Sequence, residues 1–298
     1  MAAAFEPTYK VVETDGAKLH VWHQGSGRLL ILIAGGAQSG ICFDAVIPKL
    51  SQHYTVATYD RRGYSNSLIE KKTIVNLAQS ARDVVAIIKA LGFQKASIFG
   101  TSAGGIIALQ LGVSYPEHIE HLIAHESPTT SLLPDTTTWL DFCASVYDKY
   151  KTNGGEAAIR YFGSKMVGMD PTEPIAATTL DNAPFFFEYE YTVFTIYTPN
   201  MPKLRDNGVS MAVVAGEKSK DAYYARTTAV QAEMLGCPRI MWPGAHTVYK
   251  TSPDAFVRAL LDTLRQLGVN PNRRLSMKQR VPSFANDRKE FLPLELLL

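Results

Sequence analysis

Lys95–Tyr115 reads KASIFGTSAGGIIALQLGVSY. Ala96–Phe99 is a short apolar run of strand character, and an amphipathic helical pattern starts directly after Gly100-Thr101-Ser102-Ala103-Gly104. G-x-S-x-G at such a junction implies a sharp turn that holds the serine in an unfavourable backbone geometry. Gly100 and Gly104 are small because strand and helix must approach closely on either side of it. With Gly105 added, the first helical turn carries almost no side chain. Its unpaired N–H groups and the positive end of the helix dipole face whatever sits above Ser102. Ser102 is therefore the candidate nucleophile.

Outward from this stretch, strand and helix patterns alternate. Thr8–Thr14 and Leu19–Gln24 are β-rich runs joined at Asp15-Gly16, a hairpin signal. Leu29–Ala34 is continuously apolar, as expected of a central strand buried on both faces. Gly35-Gly36-Ala37-Gln38-Ser39-Gly40 then makes a glycine-rich loop before a helix over about 43–52. Thr55–Tyr59 reads as a strand, 73–91 as an amphipathic helix stopped by Gly92, and Ile119–Ala124 as a strand ending at His125-Glu126. The alternation breaks over 127–208, which has helical patches, seven prolines and no clear strand. It resumes with strand 209–215, helix 222–235, strand 239–242 and helix 253–267. These eight strands predict a mostly parallel α/β sheet flanked by helices. Residues 1–126 and 209–268 form the core, and 127–208, too long for a loop, form a helical cap inserted after the sixth strand.

Composition sets wide bounds. At 298 residues, 46% hydrophobic and 19% charged, the chain suits one large globular domain. A net charge of +2 gives no case for nucleic acid, and no apolar run approaches the ~18 residues needed to span a bilayer. No secretory signal is visible, and Cys42, Cys143 and Cys237 form no metal-ligand spacing. The expected location is cytoplasmic, with neither cofactor nor metal.

GTSAGG, IAGGAQSG after the third strand, YDRRG after the fourth and PGAH before the last helix carry a resemblance to the α/β-hydrolase fold family over about residues 8–268. The resemblance is nearest to capped members that act on small organic molecules. A serine hydroxyl needs a base to take its proton, and the base needs an acid to hold its tautomer. The resemblance places the base at His246, in Pro243-Gly244-Ala245-His246, where flanking small residues leave the imidazole room. Many members carry the acid three residues after a glycine, here Gly216, but that position is Ser219. Dehalogenase-like relatives place it at the end of the strand after the nucleophile helix, which points to Glu126; Asp221 and Glu217 are the alternatives.

For the oxyanion hole, the resemblance implies the N–H of Ala103, directly after the nucleophile. The second donor is Ala37, with Gly35 standing at the usual histidine, and Gln38 is placed to add a side-chain amide. The GGAQSG loop lacks G-x-G-x-x-G and the Walker lysine, which argues against a phosphate cradle. Arg61 and Arg62 are read as ties between loops rather than substrate clamps, and His125 as a candidate for the pocket lining.

Thirteen of the 30 aromatic residues fall in 127–208, more than a proportional share, densest over Phe185–Tyr197. Some must pack the cap, and others line an apolar pocket. The expectation is a serine hydrolase acting on an ester, lactone or related bond of a small, largely apolar or aromatic molecule. Alternatives are a non-hydrolytic, carbon–carbon bond-cleaving or cyclising enzyme of secondary metabolism, and a ligand receptor on the same fold. The segment 269–298, with six Lys/Arg against three Asp/Glu and an apolar end, is read as an extension that docks on the body or, in a homo-oligomer, on a second subunit.

Overall fold

A computed structural model describes residues 4–168 and 172–269. The expected extension, and any oligomer contact through it, therefore lies almost wholly outside the described residues.

Antiparallel β1 (Thr8–Thr14) and β2 (Ala17–Gln24) open the chain and lead to β3 (Leu29–Ile33). The helix expected over 43–52 is instead a 3-10 turn, Gly40–Phe43, and a short α1 (Ile47–Leu50), which restarts with Pro48 in its first turn. β4 (Thr55–Tyr59) follows. A two-residue β5 (Leu68–Ile69) pairs antiparallel with β2 and gives the sheet a ninth strand. It is too short to leave a periodic signal. α2 (Leu77–Ala90) begins where the Asn76 side chain accepts the N–H groups of Ala78 and Gln79. β6 (Ala96–Thr101), α3 (Ala103–Ser114) and β7 (Ile119–His125) complete the first half.

Between β7 and β8, the described residues hold only helices and turns. These are a 3-10 turn (Thr130–Leu132), α4 (Thr136–Gly163, broken at Gly154), α5 (Ala177–Phe185), a π-helical turn (Phe186–Glu190), α6 (Tyr191–Ile196) and α7 (Met201–Asp206). β8 (Met211–Gly216), α8 (Tyr223–Leu235), β9 (Arg239–Trp242), α9 (Val248–Thr251) and α10 (Pro253–Val269) close the fold.

The sheet runs β1-β2-β4-β3-β6-β7-β8-β9, and every neighbouring pair from β4 to β9 is parallel. Along β3, Leu29, Ile31 and Ile33 pack on the side of α2 and α3, while Leu30 and Leu32 pack with α1 and α10 residues on the other. Both faces of the sheet are covered, so the strand reads as an unbroken apolar run. α3 is buried along its whole length up to Val113 rather than on one face. It is wedged between the sheet, α2 and α7, and a Cβ on Gly112 would stand 2.6 Å from Leu204. All-round burial replaces the expected amphipathic stripe.

The parallel strands share one carboxyl edge. Gly35, Asp60, Ser102, Glu126 and Gly216 all lie at or just past that edge, where open α/β sheets form their crevice.

Candidate active site

Ser102 sits at φ 55°, ψ −125°, between the end of β6 and the start of α3. Its N–H donates to the His125 carbonyl at 2.9 Å. The glycines around it are required by backbone contact. A Cβ on Gly100 would stand 2.2 Å from the Gly104 carbonyl oxygen, and one on Gly104 2.2 Å from that of Ile33. The strain at Ser102 is thus enforced by β3, β6 and α3 together.

Glu126 also has a positive φ, 45°, and its side chain is completely buried. One carboxylate oxygen accepts the Gly216 N–H at 2.8 Å, and the other lies 2.6 Å from His246 Nδ1. Burial by itself would raise the carboxyl's pKa. The hydrogen bond from His246 and the neighbouring His125 and His246 charges outweigh it and bring the pKa down to about 2. Nδ1 therefore carries the proton facing the carboxylate, which leaves the Nε2 lone pair free to act as a base.

His246 follows β9 in a loop whose Gly244 has φ 96° and packs on Gly216, where a Cβ would stand 2.7 Å from the Gly244 carbonyl oxygen. The Tyr224 ring lies 4.6 Å from the imidazole. Asp221 and Glu217 are exposed, and among the described residues Glu126 is the carboxylate paired with His246. Ser219, at the alternative acid position, is fully buried beside the Glu126 carboxylate. His125 does not line the cavity. It is buried against Phe99 and Trp242, with Nδ1 2.9 Å from the Thr101 hydroxyl, and burial lowers its pKa to about 4.

The glycine loop departs from the sequence expectation at Ala37. Its N–H donates to the Tyr64 hydroxyl at 3.1 Å, its carbonyl accepts from Asn182 at 3.3 Å, and the residue is buried. Ala37 is thus turned away from the cavity and cannot serve as the second donor. Gly36, one residue earlier, lines the cavity, and its N–H has no partner among the described residues. Ala103, at the first position of α3, lines the same cavity.

Ser102 and His246 both open into a cavity of about 380 Å³. Its floor is Gly35, Gly36, Gln38, Ser102 and Ala103, and helices from 127–208 contribute Cys143, Ile159, Phe162, Phe186, Tyr191 and Phe194. The Tyr249 hydroxyl donates to Gln38 Oε1 at 2.9 Å and so fixes the amide of this cavity-lining side chain.

Arg62 makes a two-pronged bond to Asp83 in α2, and Asp60 accepts from Ser39, Gly40 and Asn66, so both are structural ties. Arg61 is buried between Glu190 and the Gly35 carbonyl. Glu190, Asn182 and Tyr64 were not anticipated. The one available signal was the pair of acidic residues, Glu188 and Glu190, set inside the aromatic run PFFFEYEYTVF.

This sheet, with a strained serine after β6 and a paired carboxylate and imidazole after β7 and β9, defines an α/β hydrolase. The chain belongs to the alpha/beta hydrolase fold family, whose model matches residues 28–204. It is similar to an uncharacterized hydrolase of Bacillus subtilis, YraK, at 26% identity over 260 residues, covering 86% of this chain and 95% of that protein. Among solved structures, a thermophilic esterase from Thermogutta terrifontis superposes with a TM-score of 0.71 at 18% identity, covering 88% of this chain and 99% of that one. An enol-lactonase from Burkholderia xenovorans superposes with a TM-score of 0.65 at 18% identity, covering 87% and 100%. At these identities the structural likeness shows the fold. No helix among the described residues is long and apolar enough to cross a membrane.

Proposed function

We propose that the chain is a serine hydrolase that cleaves an ester, lactone or related carbonyl bond of a small, largely apolar molecule. The observation that carries this reading is the buried Glu126–His246 pair, 2.6 Å apart, sharing a cavity with a serine on a strained turn. Nε2 of His246 takes the Ser102 proton as Oγ attacks the carbonyl carbon. The N–H groups of Gly36 and Ala103 bind the oxyanion that forms. As the carbonyl reforms, the scissile bond breaks and His246 returns its proton to the leaving oxygen. Water, deprotonated by the same imidazole, then attacks the acyl-enzyme and releases the acid.

The segment 127–208 acts as a cap that selects the substrate. Its apolar cavity wall favours an aliphatic or aromatic body, and the ester and lactone chemistry of the two structural neighbours agrees with a carbonyl at Ser102. Three unpaired cysteines suit a reducing compartment such as the cytoplasm.

Incubation with an alkyl fluorophosphonate followed by peptide mass mapping tests the nucleophile; an unmodified Ser102 in folded protein refutes it. Turnover in ¹⁸O-water separates hydrolysis from a lyase or cyclase on the same machinery. Hydrolysis must place one solvent oxygen in the acid product.

A further inference from the structure

Arg61 and Glu190 form an ion pair at 2.8 Å with side chains 3% and 1% exposed. A fully buried pair loses so much hydration that it contributes little net stability, and an apolar pair often does as well. What this pair holds is therefore more informative than the pairing itself. The second arm of the Arg61 fork donates to the Gly35 carbonyl at 3.1 Å, and the guanidinium lies 4.5 Å over the Tyr64 ring. Glu190's other oxygen accepts the Tyr64 hydroxyl, which in turn receives the Ala37 N–H.

The Gly35 carbonyl and the Gly36 N–H belong to one planar peptide unit and point in opposite directions. Fixing the carbonyl on Arg61 therefore fixes the N–H toward the cavity. A charged donor on the oxygen also polarises the amide and strengthens its N–H as a donor. The next peptide is tied back at Ala37. Phe186, in the same π-helical turn as Glu190, covers Gly36, where a Cβ would meet its ring at 2.6 Å.

We propose that the buried Arg61–Glu190 pair is a positioning device for the Gly35–Gly36 peptide, through which the inserted helices hold the oxyanion donor in place. The proposal rests on the reading of Ser102 as nucleophile and Gly36 as donor. Arg61 and Glu190 act through that peptide and do not touch the substrate. Arginine suits the task because its rigid fork serves two acceptors at once, which a lysine ammonium on a flexible stem does not reproduce.

The test compares wild type with Arg61→Met/Glu190→Gln, which removes both charges together and keeps an acceptor for Tyr64. Arg61→Lys is the milder second variant. Folding is checked by circular dichroism and thermal melting. kcat and KM are measured on a p-nitrophenyl ester. Affinity is measured for an alkyl boronic acid, which forms a tetrahedral oxyanion adduct on serine, and for the matching alcohol, which only fills the cavity.

In the double variant, kcat should fall by about 10- to 100-fold and boronate affinity by the same factor, with KM and alcohol affinity within about twofold. Arg61→Lys should move both quantities the same way by less, and it decides the matter should the double variant fail to fold. A folded variant with wild-type kcat and boronate affinity overturns the proposal. So does an equal loss of alcohol and boronate affinity, which would mean damage to the cavity at large. An inert wild-type Ser102 sinks the hydrolase reading and this proposal with it; an active wild type with unchanged variants sinks this one alone.

Discussion

Replacing Glu126 by Gln tests the proposed acid directly. The substitution is nearly isosteric, and the retained Oε1 still accepts the Gly216 N–H, bonded at 2.8 Å in the native chain. That bond orients the new amide NH₂ toward His246 Nδ1, where the native carboxylate oxygen stood 2.6 Å away. Nδ1 must then accept instead of donate, so the imidazole proton moves to Nε2 and the serine proton has no base to go to. Reversal of the tautomer should lower kcat by on the order of 10³- to 10⁴-fold, about 4–5.5 kcal/mol in the barrier, with little change in KM.

Glu126→Asp should fail for a different reason. Loss of one methylene withdraws the carboxylate by roughly 1.5 Å, which opens the 2.6 Å contact to about 4 Å, beyond hydrogen-bond reach. Ser219→Asp in the Glu126→Gln background places a carboxylate at the alternative strand end, in a buried position already beside Glu126. It should restore kcat by at least about 10-fold. The assay is steady-state p-nitrophenyl ester hydrolysis, with melting curves to confirm folding. If Glu126→Gln keeps more than about a tenth of wild-type kcat while Asp221→Asn abolishes turnover, the acid has been misassigned.

Three further outcomes are expected. Gly36→Ala should drive a methyl into Phe186, 2.6 Å away, and cut kcat by about 10-fold or more; Phe186→Leu in the same chain should recover part of it, as seen in paired kinetics. Tyr249→Phe removes the bond that orients the Gln38 amide, and the expected result is a several-fold loss, on the order of 1 kcal/mol, in kcat/KM with the fold intact. Stability should decline on acidification. His125 has its pKa lowered by burial from 6.5 to about 4, and Glu126, against its burial, is lowered from 4.5 to about 2 by the His246 hydrogen bond and the neighbouring histidine charges, so the unfolded chain binds more protons from pH 6.5 downward. Their stabilisation is complete above those ordinary values and is lost as pH falls through the folded ones. Urea midpoints across pH 7 to 2 should trace this, and His125→Gln should flatten the upper part; an unchanged slope there would refute the His125 assignment.

Much of the site was legible because it depends on local backbone demands. Ser102 is announced by glycines on both sides, since the strand-to-helix contact admits no Cβ at Gly100 or Gly104. His246 stands at the end of a strand in a run of small residues. With the family resemblance as guide, Ser219 at the usual acid position and Glu126 at a strand end pick out the candidate acid. Which N–H of the glycine loop faces the cavity is not legible in the letters, because the backbone turns at Ala37, φ 55°, and ties that N–H to Tyr64. The even burial of α3 was also hidden, since it reflects coverage by α2 and α7 rather than its own periodicity.

The chain order of apolar runs and turn residues therefore determined the parallel sheet and the strained turn at Ser102. These follow from propensities and steric limits that act over a few residues. Tertiary structure alone decided that Glu126 meets His246 across 120 positions, that Gly36 faces the cavity, and that Glu190 reaches back 129 positions to Arg61. Those contacts join side chains whose separation is set by how the inserted helices pack on the sheet, and no local pattern encodes that packing.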